Sequence, residues 1–343
     1  MKNLRSMIVC IAALLILASG TWAADAPFYK GKTIRIVVGY SPGGGFDTFS
    51  RLVGRNLGAH LPGNPSVIVV NMPGAASMVA ANRVYAMQPG DGLTIVVFSF
   101  GVITDLVTRP EAAKFDVRKF IWLGDPTLGA VPEVVWVRSD LPIKSLEDFR
   151  NSKTPLASGL TGRGSPATAA NQFLASLGYP LKAVHGYRGT ANVMAAMERK
   201  EVDVRIMSQS NMQTIYRRHI ESGLVRPVLA LGEDPRVKPI PGVATFKDMN
   251  LDPKQQRMAD FLVGTWKLLR LFAIPPGTPP DRVALLRKAF TDTLNSPKLL
   301  EQAKRQKVIV SPASHETIEK TIAGLYGAPP DLLARYKELL GRK

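Results

Sequence analysis

The stretch Tyr40-Ser41-Pro42-Gly43-Gly44-Gly45-Phe46-Asp47 carries the residue types most able to do chemistry. Glycines let main-chain N–H groups approach a ligand with no Cβ in between, and a helix starting here adds unpaired first-turn donors and the positive end of its dipole. An anion is the natural guest. The same glycines also suit a plain tight turn from strand to helix, and the loop alone leaves both readings open. Its spacing is not Gly-x-Gly-x-x-Gly, and no Lys-Ser/Thr pair follows, so the anion need not be a phosphate.

A second loop repeats the device. Leu156-Ala157-Ser158 reads as a strand running into Gly159-Leu160-Thr161-Gly162-Arg163-Gly164-Ser165-Pro166. Ser165 as N-cap with Pro166 at the first helical position fixes a helix start. Gly162-x-Gly164-x-x-Ala167 matches a loose dinucleotide fingerprint, but the acidic residue expected about twenty positions on is absent. Arg163 suits pairing with a carboxylate, or simple exposure on a loop. Other polar strand ends lie at Ala76 and Ser77, at Ser99, at Tyr187 and at Ser208.

The elements that position these loops read as alternating strands and helices. Ile34–Val38, Ser66–Val70 and Leu93–Phe98 are β-branched runs, separated by helical patterns near Phe46–Leu57 and Met78–Met87, with Gly58 as the first helix stop. The pattern restarts near Asp125 with Val134–Val137, a short helix capped by Ser145, Leu156–Ser158, a helix from Ala191 to Arg199, and Val202–Met207. This order predicts α/β lobes built on a parallel sheet with helices on both faces, and ligands outside the carboxyl ends of the strands. Val228–Leu231 is expected to carry the chain back, giving residues 24–125 plus 232–343 to the first lobe and 126–231 to the second. Val283, Leu286, Phe290 and Leu294 form an apolar core stripe, and Trp266–Ile274, broken by Lys267 and Arg270, reads as a core strand.

Several chemistries lack their residues. The four histidines are dispersed, and the single cysteine, Cys10, lies near the start, so no metal or other cofactor is expected. There is no Gly-x-Ser-x-Gly elbow and no Ser-x-x-Lys. The chain is read as a binding protein and not an enzyme, with a secreted enzyme acting on a carboxylate in the same cleft, or a sensor subunit, as the alternatives.

The 343 residues and 21% charged content suit a soluble two-lobed protein. Lys2 and Arg5 precede an apolar run from Met7 to Ala18, and Thr21-Trp22-Ala23 follows. That run is too short to span a bilayer and has the form of a secretory signal, so residues 1–23 are expected to be removed and the product to be periplasmic. The formal net charge of +17 favours capture of acidic solutes. Basic residues are scattered without interleaved aromatics, so nucleic acid is not expected as a partner.

Taken in order, several motifs resemble the substrate-binding receptors of tripartite tricarboxylate transporters, also called Bug or TctC-like receptors. They are Ser41–Asp47, Asn71-x-Pro73-Gly74-Ala75, Pro89-Gly90-Asp91-Gly92, Gly162-x-Gly164-Ser165, Tyr187-Arg188-Gly189 and Ala273-x-Pro275-x-Gly277-Thr278-Pro279. The resemblance implies a type II periplasmic-binding-protein (Venus-flytrap) fold, with two α/β lobes joined by two crossover strands. It also implies a small organic anion held between the lobes, and large and small membrane subunits of a secondary transporter as partners of a monomer. By motif position Gly44, Gly45 and Asp47 line the first-lobe site, with Ser41, Gly43 and Phe46 beside them, and Gly164 and Ser165 the second, with Thr161, Gly162 and Arg163 beside them. The sequence departs from the family where Met72, Ala76 and Ser77 follow or replace its usual Arg and glycines, and where Met207-Ser208 replaces an Asp-Asn-like strand end.

Overall fold

The computed structural model describes residues 27–87, 89–108, 111, 113–127, 132–162, 165–233 and 237–340. The expected signal segment, Arg163 and Gly164 lie outside the described residues.

Strands β1 (Thr33–Val38), β2 (Ser66–Asn71), β3 (Thr94–Ser99) and β4 (Ile121–Asp125) come first. Next are β5 (Glu133–Arg138), β6 (Leu156–Gly159), β7 (Leu181–Val184), β8 (Val204–Ser208), β9 (Val225–Leu231) and β10 (Ala244–Thr245). β11 (Arg270–Ile274) and β12 (Ala313–Ser314) complete the set. They form two six-stranded sheets, ordered β12-β4-β11-β3-β1-β2 and β10-β9-β5-β8-β6-β7. Neither is the expected all-parallel sheet: each joins a parallel portion, β2-β1-β3 or β7-β6-β8, to antiparallel pairings, β3-β11-β4-β12 in one and β8-β5-β9 in the other, where β10 then runs parallel to β9.

Both faces of each sheet are covered, which is why its strands read as continuous apolar runs. Ile34, Ile36 and Val38 pack against Phe49, Leu52, Val53 and Leu57 of helix Gly45–Leu57, and Val37 faces a second core with Val84 and Val96. In the other lobe Val135 and Val137 share a core with Phe149 and Phe173, while Val134 and Trp136 meet Val193 and Met197.

The expected two-lobed α/β architecture is present, with differences in detail. The return to the first sheet comes later than residue 232, because β10 pairs with β9, and Met258 and Leu262 of helix Pro253–Trp266 belong to the second-lobe core of Val135 and Phe173. The stretch Trp266–Ile274 is accordingly split: Trp266 closes that helix, and the strand begins at Arg270. Gly58 does not end its helix in the left-handed region. It continues into a 3₁₀ turn at φ −58°, and glycine is needed because a Cβ would lie 2.3 Å from the Pro65 carbonyl oxygen.

The turn Ala75–Ser77, which holds the departures expected at Ala76 and Ser77, has a backbone signature. Ala75, Ala76 and Ser77 all hold positive φ, at 44°, 52° and 82°. This is the left-handed region that glycine occupies freely and other residues at a cost of about 1–2 kcal/mol each. The Ser77 hydroxyl offsets part of that cost by accepting from the Ser99 N–H at 3.0 Å.

Candidate functional site

The carboxyl ends of the parallel strands in both sheets face a shared cavity of about 50 Å³. Tyr40, Gly45 and Phe46 wall it from the first lobe, and Glu133, Thr161, Ser165, Thr190, Arg205, Ser208 and Asn211 from the second. The lobes touch around it. The Ser41 N–H donates to the Arg188 carbonyl at 3.3 Å, the Ser41 hydroxyl to Asn192 Oδ1 at 3.1 Å, and the Tyr216 hydroxyl to the Gly43 carbonyl at 3.3 Å. A much larger cavity, about 790 Å³, lies on the outside between helices Pro166–Ser176, Pro253–Trp266 and Pro330–Leu339. Among the described residues none lining it carries a buried polar atom without a partner, so chemistry concentrates in the smaller space between the lobes.

The first loop is held from behind. Asp47, 4% exposed, accepts from the Gly43 N–H at 3.0 Å, from Asn71 Nδ2 at 2.9 Å and from Arg51 Nε at 3.0 Å. Burial works to raise its pKa, but the bonds from Arg51, Gly43 and Asn71 outweigh that and hold the carboxyl below its ordinary value. Asp47 is therefore spent on the loop. Helix Gly45–Leu57 has no side-chain cap, so its first-turn amides remain available at the cavity wall. In the second lobe the Ser165 hydroxyl caps its helix by accepting from the Thr168 N–H at 3.2 Å. The Ser208 hydroxyl likewise accepts from the Asn211 N–H.

Two buried arginines bring the positive charge. Arg205, on β8, donates through Nη1 to the Gly159 carbonyl at 3.0 Å and through Nη2 to Thr190 Oγ1 at 3.1 Å. Arg270, on β11, donates through Nη1 to Thr127 Oγ1 and through Nη2 to Asn211 Oδ1, each at 2.9 Å, with its guanidinium 4.5 Å from the centre of the Phe49 ring. Burial lowers both pKa values, Arg270 to about 10 against the opposing pull of Asp125 and Glu133, and both stay cationic at neutral pH. Glu133 is the counterpart: burial pushes its carboxyl up to about 7, although Arg205 and Arg270 pull the other way.

Of the residues singled out in the sequence, Gly45, Phe46, Thr161, Ser165 and Ser208 line the cavity. Ser41 and Gly43 bond to the other lobe at its rim, and Gly44 lies beside Tyr216. Gly162 abuts Ala76 across the lobes, so closely that a Cβ on Gly162 would stand 2.8 Å from the Ala76 nitrogen. Ser77 and Ser99 are buried and brace each other, and Tyr187 packs against the second-lobe core. Sequence reasoning missed Glu133, Thr190, Arg205, Asn211 and Arg270, while Tyr40 stood at the head of the first glycine stretch. Three of these carried a signal, since Glu133, Arg205 and Arg270 are charges set at the end of or inside apolar strands, where an unpaired charge is costly.

Two α/β lobes that close on a polar cavity at their strand ends define a solute-binding protein of the periplasmic type. Residues 50–324 match the tripartite tricarboxylate transporter family receptor, and the chain belongs to that family. A UPF0065 protein from the tcbD-tcbE intergenic region of Pseudomonas sp. (strain P51) is 25% identical over 310 residues, covering 88% of this chain and 85% of its own. Among solved structures, periplasmic binding protein BugD superposes with a TM-score of 0.72 at 21% identity, over 91% of this chain and 98% of its own. MatC from Rhodopseudomonas palustris, solved with bound malate, gives 0.69 at 21% identity over 90% and 99%. Among the described residues no helix is long and apolar enough to cross a membrane, and no group of three His, Cys, Asp or Glu is placed to hold a metal ion.

Proposed function

We propose that the protein is exported to the periplasm, captures a small organic carboxylate between its lobes, and delivers it to the large and small membrane subunits of a tripartite tricarboxylate-type transporter. The observation that carries this reading is the meeting of uncapped first-lobe helix amides with the Arg205 guanidinium in one cavity. Backbone donors and a buried cation favour an anion together, and shielding from water strengthens both. The bound malate of MatC supports the substrate class. Contacts to both halves favour the closed arrangement, which gives a membrane partner a surface to recognise. The ligand-binding set is Ser41, Gly43, Gly44, Gly45, Phe46, Asp47, Ala76, Ser77, Ser99, Thr161, Gly162, Arg163, Gly164, Ser165, Tyr187 and Ser208, some touching ligand and others holding the loops, with Arg205 added.

Thermal-shift screening of the purified protein against mono-, di- and aromatic carboxylates tests the central claim, since a ligand well above its Kd raises the melting temperature. A broad panel without any shift counts against carboxylate capture. N-terminal sequencing of protein from a periplasmic extract should begin near Ala24, and light scattering should report a monomer.

A further inference from the structure

One group at the cavity is not explained by carboxylate capture alone. Glu133 stands at the start of β5, 5% exposed, and lines the space shared with Gly45, Ser165 and Arg205. Its Oε2 meets no donor among the described residues, and it forms no ion pair within 4.0 Å of any of them. The buried acids nearby are used: Asp47 holds the first loop, and Asp125 accepts from Thr127 N–H and Oγ1 and from the N–H groups of Leu269 and Arg270. Nε of Arg205 and Nε of Arg270 are likewise without acceptors among the described residues.

Arg205 and Arg270 act on Glu133 from two other strands, and Asp125 stands beside Arg270. A ligand that brings one carboxylate to the helix amides and arginines finds a carboxylate oxygen, not another cation, on the β5 side. A donor on the ligand would satisfy that oxygen, whereas a second ligand carboxylate there would be repelled at low effective dielectric. The small cavity favours short molecules.

We infer that Glu133 sets the specificity of this site, selecting short acids that carry one carboxylate and a nearby hydrogen-bond donor, an ammonium or a hydroxyl, over unsubstituted acids and dicarboxylates. The inference rests on the carboxylate reading above and goes beyond it by naming the second functional group. Arg205 and the loop amides give affinity for the carboxylate. Glu133 decides what else the molecule must have.

Isothermal titration of the purified mature protein at about pH 8, where Glu133 is ionised, compares propionate, lactate, alanine and succinate. Lactate or alanine should bind at least about ten-fold more tightly than propionate, and succinate more weakly than either. Whichever of the two is tighter identifies the donor as hydroxyl or ammonium. Glu133→Gln, checked for folding by circular dichroism, should bring lactate, alanine and propionate within about three-fold of each other and improve succinate. Equal affinities for propionate, succinate and the substituted acids in the unaltered protein would overturn the inference while leaving carboxylate capture intact, and so would an unchanged ranking in the variant. No heat from any of the four acids, together with no thermal shift across the broader panel, would remove both.

Discussion

Nη2 of Arg270, carried by the first lobe, donates to Oδ1 of Asn211, carried by the second, at 2.9 Å, and the pair lies against Gly45 at the cavity wall. A Cβ on Gly45 would stand 2.5 Å from Arg270 Nη2 and 2.9 Å from Asn211 Oδ1. The bond therefore spans the lobes at the point where the loop turns into its helix. A hydrogen bond to a charged group contributes about 1.5–3 kcal/mol. Asn211→Ala should shift the protein toward the open arrangement and weaken ligand binding by about ten-fold or more, seen as a larger radius of gyration by small-angle scattering and a raised Kd. A scattering profile and Kd equal to those of the parent would show that this bond does not hold the lobes together.

Gly162 and Gly189 permit close approach between lobes. A Cβ on Gly189 would lie 2.1 Å from Ser41 Oγ, and one on Gly162 would lie 2.8 Å from the Ala76 nitrogen. Gly189 has an extended backbone, φ −179°, that any residue adopts. Gly189→Ala and Gly162→Val should keep the parent far-UV dichroism yet fail to contract on ligand addition. Normal ligand-induced contraction in both variants would contradict the observed lobe contact.

Asp47 should matter to stability more than to direct ligand contact. Asp47→Ala strips the acceptor from Gly43, Asn71 and Arg51, with an expected loss of about 1–3 kcal/mol in urea unfolding. Because the folded carboxyl titrates below its unfolded value, its contribution is present above the unfolded pKa and is lost as pH falls through the folded one. The gap in stability between parent and variant should thus narrow in acid. A gap that stays constant through the carboxylate range would contradict the bonded, ionised Asp47.

Glu133 has the opposite linkage. Its folded pKa of about 7 is above the unfolded value near 4.5, so its contribution is fully present below the unfolded pKa and disappears as pH rises through about 7. The charged groups that set this balance are Arg205 from β8 and Arg270 from β11, with Asp125 beside Arg270 and Tyr40 and Tyr216 near Arg205. Ligand-free protein should lose stability between about pH 5 and pH 8, and Glu133→Gln should flatten that part of the profile. Superposable parent and variant profiles over this range would show that the carboxyl titrates normally.

Local chemistry made much of the molecule readable from its residues. Apolar runs closing on glycines predict strand, loop and helix, and the Ser165-Pro166 pair predicts a helix start whose hydroxyl cap is observed. The point of return to the first lobe was not legible, because helix Pro253–Trp266 has an amphipathic pattern that either core could bury.

The sequence by itself determined the alternating elements, the two glycine loops and the family resemblance, since these depend on residue preferences over a few neighbours. Only the tertiary structure brought Glu133, Arg205 and Arg270 together, from strands far apart in the chain. A buried charge is tolerated only where distant groups satisfy it, and no local pattern records which distant groups those are.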